Sequence, residues 1–210
     1  MTDMHLLSAA LIGCVLQGLM LRAPATEQSN TYKITETIST SKIGAVVMAG
    51  TETRHIGAAQ SGKRAVDITF KVKISDRRFT GQKAEKWAQG ELASLAEPDH
   101  GTLNDFGQLL LIDGTSADAF PIFPTKSITV GEAWKASGFD YKLVAVKDNR
   151  AHIESNSDVT YRQGSVKRSA SWVIEILSGR LISWHINSAV TYSNGTRETV
   201  DSKGELESSS

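Results

Sequence analysis

From Tyr32 onward the chain alternates between apolar and polar positions at period two. Tyr32, Ile34 and Ile38 share one parity, with Lys33, Thr35 and Thr37 on the other. Val66, Ile68, Phe70, Val72 and Ile74 alternate without a break against Asp67, Thr69, Lys71 and Lys73. Successive strand side chains point to opposite faces, so each run predicts a strand with one buried face and one wet face. Such one-sided strands belong to antiparallel sheets, because parallel sheets covered on both faces read as unbroken apolar runs. Phe139, Tyr141, Leu143 and Ala145 repeat the pattern. They reach the polar turn Lys147-Asp148-Asn149-Arg150, from which Ala151, Ile153 and Ser155 run back as a hairpin.

In the C-terminal third, Trp172, Ile174 and Ile176 alternate up to the turn Ser178-Gly179-Arg180. Ile182, Trp184, Ile186, Val190 and Tyr192 lead away from it to Asn194-Gly195, a type I′ hairpin signal. The last strand, about Thr196 to Ser202, is polar and is expected at a sheet edge. One stretch reads at helical spacing: Ala84, Trp87, Ala88, Leu92 and Leu95 predict a helix near 81–96, capped by Thr80 and stopped by Pro98. Gly90 in its middle costs about 1 kcal/mol against Ala. Residues 97–107 read as a loop, and Leu109–Ile112 as a short buried strand ending at Asp113-Gly114. The expected fold is mainly β: a single antiparallel, strongly twisted sheet, a half-barrel or open barrel, with one inserted helix. The expected organisation is a leader over 1–25, one β-rich domain over 26–207 and a disordered tail at 208–210.

The leader rests on Leu6–Leu21, which is apolar or small except for Ser8 and Gln17. That length is short for a membrane span, which needs roughly 20 apolar residues, and suits a signal h-region. Ala23-Pro24-Ala25 then offers small residues where a signal peptidase reads, so cleavage after Ala25 is expected. Met1–His5 carries Asp3 and no Lys or Arg, unlike the usual positive start. Leu11-Ile12-Gly13-Cys14 resembles the bacterial lipobox, whose cysteine is acylated. Three outcomes stay open: cleavage after Ala25, acylation of Cys14, or retention. The expected location is extracytoplasmic, periplasmic or secreted, with a membrane-anchored lipoprotein as the alternative.

Composition narrows the function class. Lys+Arg and Asp+Glu are both 23 among 210 residues, giving a formal net charge of zero. A nucleic-acid partner normally shows as a basic excess, so that class is disfavoured. Charge-driven attachment to an anionic membrane is disfavoured too, which leaves an uncleaved leader or acylated Cys14 as the expected membrane contact. With one cysteine, Cys14, no internal disulfide forms.

Motifs of known catalytic mechanics are missing. The sequence has no Gly-x-Ser-x-Gly elbow, P-loop or dinucleotide fingerprint, and no cofactor or metal site is expected. His55, His100, His152 and His185 are isolated in sequence. His152 and His185 fall on the wet parity of their strands. His100, in Pro98-Asp99-His100-Gly101 near Asp105, is the best acid–base candidate, and supports a hydrolase only as a minor alternative.

The densest apolar cluster is Phe120-Pro121-Ile122-Phe123-Pro124, followed by Lys126, Ile128, Val130, Gly131, Glu132 and Trp134. Two prolines force an extended path. The stretch Phe123-Pro124-Thr125-Lys126-Ser127-Ile128-Thr129-Val130-Gly131-Glu132-Ala133-Trp134, with Tyr141-Lys142-Leu143 and Ser178-Gly179-Arg180-Leu181, resembles a group of exported bacterial proteins of unknown function. The resemblance covers the C-terminal half and implies an architecture without an activity. Phe120, Phe123 and Trp134 read either as core anchors or as the mouth of a hydrophobic cavity, since a half-barrel can hold an acyl chain. Two readings follow. One is a non-catalytic exported module binding a hydrophobic, lipid-like ligand at Phe120, Phe123 and Trp134. The other is a structural or protein-interaction module of the envelope that pairs through an edge strand at 196–202.

Overall fold

The computed structural model describes residues 18–111, 116–117 and 120–210. Cys14, most of the predicted leader and Asp113-Gly114 lie outside them. In chain order the elements are β1 (Gln28–Thr40), β2 (Gly44–Ile56), β3 (Lys63–Arg78), α1 (Gln82–Ala96), β4 (Asp99–Asn104), β5 (Leu109–Leu111) and β6 (Ser116–Ala117). There follow β7 (Ala133–Ala136), β8 (Phe139–Lys147), β9 (Arg150–Tyr161), β10 (Gly164–Glu175), β11 (Leu181–Tyr192) and β12 (Arg197–Ser209). All strands join one open antiparallel sheet in the order β6-β5-β4-β3-β2-β1-β12-β11-β10-β9-β8-β7. The mainly β architecture expected from the alternation is present, with a helix at 82–96 for the predicted 81–96.

The parity rule holds in β1, β3, β8 and β10. Tyr32, Ile34 and Ile38 of β1 are buried, as are Val66 and Ile68 of β3, Tyr141 and Leu143 of β8, and Trp172 and Ile174 of β10. The β8–β9 hairpin turns at Asp148 and Asn149, both at positive φ, as a two-residue primed turn requires. At 192–197 the turn differs from the expected type I′. Gly195 takes positive φ, Asn194 does not, and Tyr192 N–H donates to the Thr196 carbonyl at 2.9 Å, giving a longer loop.

Four further expectations change. A register shift between Val173 and Ile174 pairs Ile174 with Leu181, so Leu181, not Ile182, enters the core. The predicted loop at 97–107 contains β4, which pairs with β3 from Ile68↔Asp99 to Lys63↔Asn104. Its glycine and polar residues hid the period. Thr80 is not the helix cap; that position is Gly81, and no side chain caps it. The polar C-terminal strand is no edge: β12 lies between β1 and β11, and the edges are β6 and β7. It is polar for a local reason. Gly204 sits directly beneath the Trp184 ring, where a Cβ would approach Trp184 to 2.1 Å, and Ser202 faces the Glu36 carboxyl. Ser208 and Ser209 pair with Thr31 and Asn30, and Ser210 N–H donates to the Ser29 carbonyl at 3.0 Å, so the last residues extend β12.

Because β6 and β7 are opposite edges, the chain between them must cross the sheet. It does so over the buried face, carrying Phe120, Phe123 and Ile128 into the core. A second crossing segment comes from the N-terminal side. Leu19 and Ile128 exchange two backbone hydrogen bonds of 2.7 and 3.0 Å, and Ala23 N–H donates to the Asp105 carbonyl at 3.0 Å. Leu21 is 2% exposed and Ala23 3%, both inside the main core. The end of the stretch expected to be a leader is therefore packed here. A smaller cluster forms where α1 lays Ala88, Trp87, Leu92 and Leu95 against Ile38, Val46 and Met48.

Candidate functional site

The inner face of β9, β10 and β11 is built in rows that the register fixes. Deep in the sheet, Ile153, Trp172 and Trp184 stand side by side, all buried. The next row is Ser155, Ala170 and Ile186; above it come Ser157, Arg168 and Ser188. Then follow Val159, Val166 and Val190, all half-buried. At the rim, Tyr161 and Tyr192 flank Gly164 and are 59% and 41% exposed. Every residue in this column has the parity of the core strand positions below it, yet exposure rises steadily towards the rim. The covering elements explain the gradient. α1 packs on β2 and β3, and the crossing segments cover the tryptophan end, so the valine and tyrosine rows have no cover among the described residues. The result is an apolar strip that opens at one end of the sheet.

The strip carries polar atoms at its buried end. Ser155 Oγ and Trp172 Nε1 are buried and lack a hydrogen-bond partner. Arg168 extends over the Phe139 ring, 5.3 Å from its centroid. Burial lowers its pKa to about 10, so it stays protonated at neutral pH.

Phe120, Phe123 and Trp134 lie elsewhere. Phe120 and Phe123 are each 2% exposed within the crossing segment. Trp134 stacks on Tyr141 with ring centroids 5.4 Å apart, and its Nε1–H donates to the Ile122 carbonyl at 2.7 Å. These contacts lock the proline-bent crossing onto the sheet. Phe120 also has a task that its sequence context did not signal. Arg54 is buried on β2, ion-paired with Glu52 and surrounded by rings: 4.3 Å from the Trp184 centroid, and 5.1 Å from those of Tyr32 and Phe120. The ring faces stabilise a guanidinium removed from water, and Glu52 supplies its counter-charge. Burial also pushes the neighbouring Tyr32 hydroxyl up to about 12, and it donates to the Leu181 carbonyl at 3.1 Å. The missed signal was parity, since Glu52 and Arg54 fall on the same alternation as Val46, Met48 and Ile56.

The histidines sit on the wet face. His100 Nδ1 lies 2.6 Å from Asp67 Oδ1, its cross-strand neighbour, and both are about half exposed. His185 Nε2 lies 3.1 Å from Asp201 Oδ2 and 3.0 Å from Asn187 Nδ2. His152 is exposed. Among the described residues no group of three or more His, Cys, Asp or Glu is placed to hold a metal, and no helix is long and apolar enough to cross a membrane.

No family model matches the chain, and no curated protein matches it in sequence. Among solved structures it is similar in fold to one of lipovitellin that addresses lipid–protein interactions, with a TM-score of 0.52 and 10% identity. The similarity covers 89% of this chain and 25% of the lipovitellin chain, so the present sequence spans about a quarter of that protein.

Proposed function

We propose that the protein is an exported, non-catalytic module that holds a hydrophobic, lipid-like ligand against the open inner face of its sheet. The observation that carries this reading is the strip that runs from the covered Trp172 and Trp184 to Val159, Val166 and Val190 and on to Tyr161 and Tyr192, whose valine and tyrosine rows have no cover among the described residues. Apolar side chains of core parity left without a cover favour an apolar partner, because each gains free energy on leaving water. The likeness in fold to lipovitellin, in a structure that addresses lipid–protein interactions, supports the same direction. The apolar stretch Leu6–Leu21 supports export, and the resemblance around Phe123–Trp134 to exported bacterial proteins agrees with it. Processing ahead of Leu19, as acylation of Cys14 would require, keeps the packed Leu21 and Ala23 in the mature chain.

Native mass spectrometry on protein purified from its host tests the ligand. An adduct of lipid mass is expected, lost in Val159→Asp/Val190→Asp while the fold persists. A bare polypeptide mass under gentle conditions ends the proposal. The alternative of an envelope interaction module pairing through an edge strand at 196–202 loses its basis, because β12 is paired on both sides.

A further inference from the structure

The rim at which the strip opens is made by three turns that are tied together. Ser193 N–H in the β11–β12 turn donates to the Gln163 carbonyl of the β9–β10 turn at 2.9 Å. On its other side, Ser41 N–H of the β1–β2 turn donates to the Arg197 carbonyl at 2.9 Å, and Arg197 N–H donates to Ser41 Oγ at 3.0 Å. Residues 41–44, 161–164 and 192–197 thus form one continuous surface. Within these ranges Lys42, Arg162 and Arg197 are exposed and there is no Asp or Glu; Glu198, the next residue, lies half-buried one row in, beside Val190. Tyr161 and Tyr192 stand on the same surface, roughly 10 Å apart because two strand spacings separate them. No side chain fills the gap, since Gly164 lies between them and a Cβ there would meet the Thr191 carbonyl oxygen at 2.1 Å.

We infer that this rim docks on an anionic lipid bilayer, with Tyr161 and Tyr192 at headgroup depth and Lys42, Arg162 and Arg197 on the lipid phosphates. The inference rests on the lipid-ligand reading and names the partner of that same strip, whose valine rows would then open towards the membrane. Tyrosine suits the interface because its ring is apolar and its hydroxyl is wet. Basic residues near an anionic surface each strengthen binding by about 1 kcal/mol. The rim is a local departure from a chain whose formal charge is zero, so a whole-chain count conceals it. A protein partner of acidic character would match the charges alone. The paired tyrosines at the mouth of an apolar strip favour the bilayer.

The test is flotation of the full chain with phosphatidylcholine vesicles, with and without 30 mol% phosphatidylglycerol, a composition of about that order being enough for a negative surface potential. Binding is expected to the mixed vesicles only, weakening as salt rises. Replacing all three basic residues (Lys42→Gln, Arg162→Gln, Arg197→Gln) should lower vesicle affinity roughly 100-fold, from about 1 kcal/mol for each charge. Tyr161→Ser/Tyr192→Ser should lower it with the salt dependence retained, and unfolding midpoints of both variants report that the fold is intact. Equal partition to neutral and anionic vesicles, or folded variants that bind as the parent does, overturns the inference; so does an acidic protein captured at the rim without vesicle binding. A lipid adduct in native mass spectra without flotation removes the docking and leaves the ligand reading. Flotation without an adduct does the reverse.

Discussion

The segment ahead of β1 offers a direct test of whether the packing described here is the packing that stabilises the protein. Leu21 is 2% exposed in the main core, and the backbone on either side of it is bonded to Ile128 and Asp105. Leu21→Ala removes three carbons from a filled site and should cost about 3 kcal/mol, within the range of such core truncations. For a chain of this size about 1 kcal/mol shifts the midpoint by roughly 2–4 °C, so Tm should fall by about 6–12 °C. A chain starting at Thr26 loses Leu21, Ala23 and Leu19 together. It also strips the buried Ile128 N–H of its acceptor, worth about 1–3 kcal/mol by itself. The combined loss of about 5 kcal/mol or more is comparable with the whole stability of a typical domain. Urea titration followed by tryptophan fluorescence compares the full chain, Leu21→Ala and the Thr26-start chain. If the Thr26-start chain unfolds at the same urea concentration as the full chain, the crossing segment is not part of the core and the reasoning fails.

Three other outcomes follow from particular contacts. Gly204→Ala places a methyl group against the Trp184 ring, and overpacking of this kind costs about 1–3 kcal/mol, measurable as a lower unfolding midpoint with broadened Trp184 signals. Arg54→Met leaves the Glu52 carboxylate buried without its counter-charge and should destabilise by about 3–5 kcal/mol, whereas Glu52→Gln/Arg54→Met should recover much of that loss in a double-mutant cycle. Burial on the inner face raises the Glu36 pKa above its ordinary value, so the folded state holds this proton more tightly than the unfolded chain. Its contribution is present at low pH and lost as pH rises through the raised value. Glu36→Gln should therefore be more stable than the parent at pH 7, with the advantage shrinking towards pH 4; a constant difference across that range would refute the assignment.

Much of the sheet was legible because the period-two signal is strong wherever a strand is wet on one side and packed on the other. Val66–Ile74 and Trp172–Ile176 are such cases, and the hairpin turn at Asp148-Asn149 marked their neighbours' reversal as well. What the pattern could not carry was anything fixed by a partner distant in sequence. Gly204 makes β12 look like a poor strand until Trp184 is placed over it. The apolar residues Leu19 and Leu21 match a leader and a core equally well, and only the bridge to Ile128 separates the two. Phe120 and Phe123 stood out by composition, yet composition alone does not tell a packed ring from one that lines a cavity. The strip on β9–β11 was hidden for a different reason. Each of its residues belongs to an ordinary alternation, and its interest lies in the lack of cover over its valine and tyrosine rows among the described residues.

The polar row within that strip sharpens what kind of ligand it would suit. Ser157, Arg168 and Ser188 form a polar row in a mostly apolar column, between the valine row and the buried tryptophans. A purely hydrocarbon ligand gains nothing from that row and would further desolvate a guanidinium whose pKa burial has already lowered to about 10. An amphiphile with a polar head would lose less there, because Ser157 and Ser188 offer hydroxyls beside the charged Arg168. Ser155 Oγ and Trp172 Nε1, buried one and two rows below, add further polar atoms at the same end. A head group at that depth leaves the tail against Val159, Val166 and Val190, running towards Tyr161 and Tyr192. The order of the rows thus supports a ligand that enters the strip from the rim, polar end first.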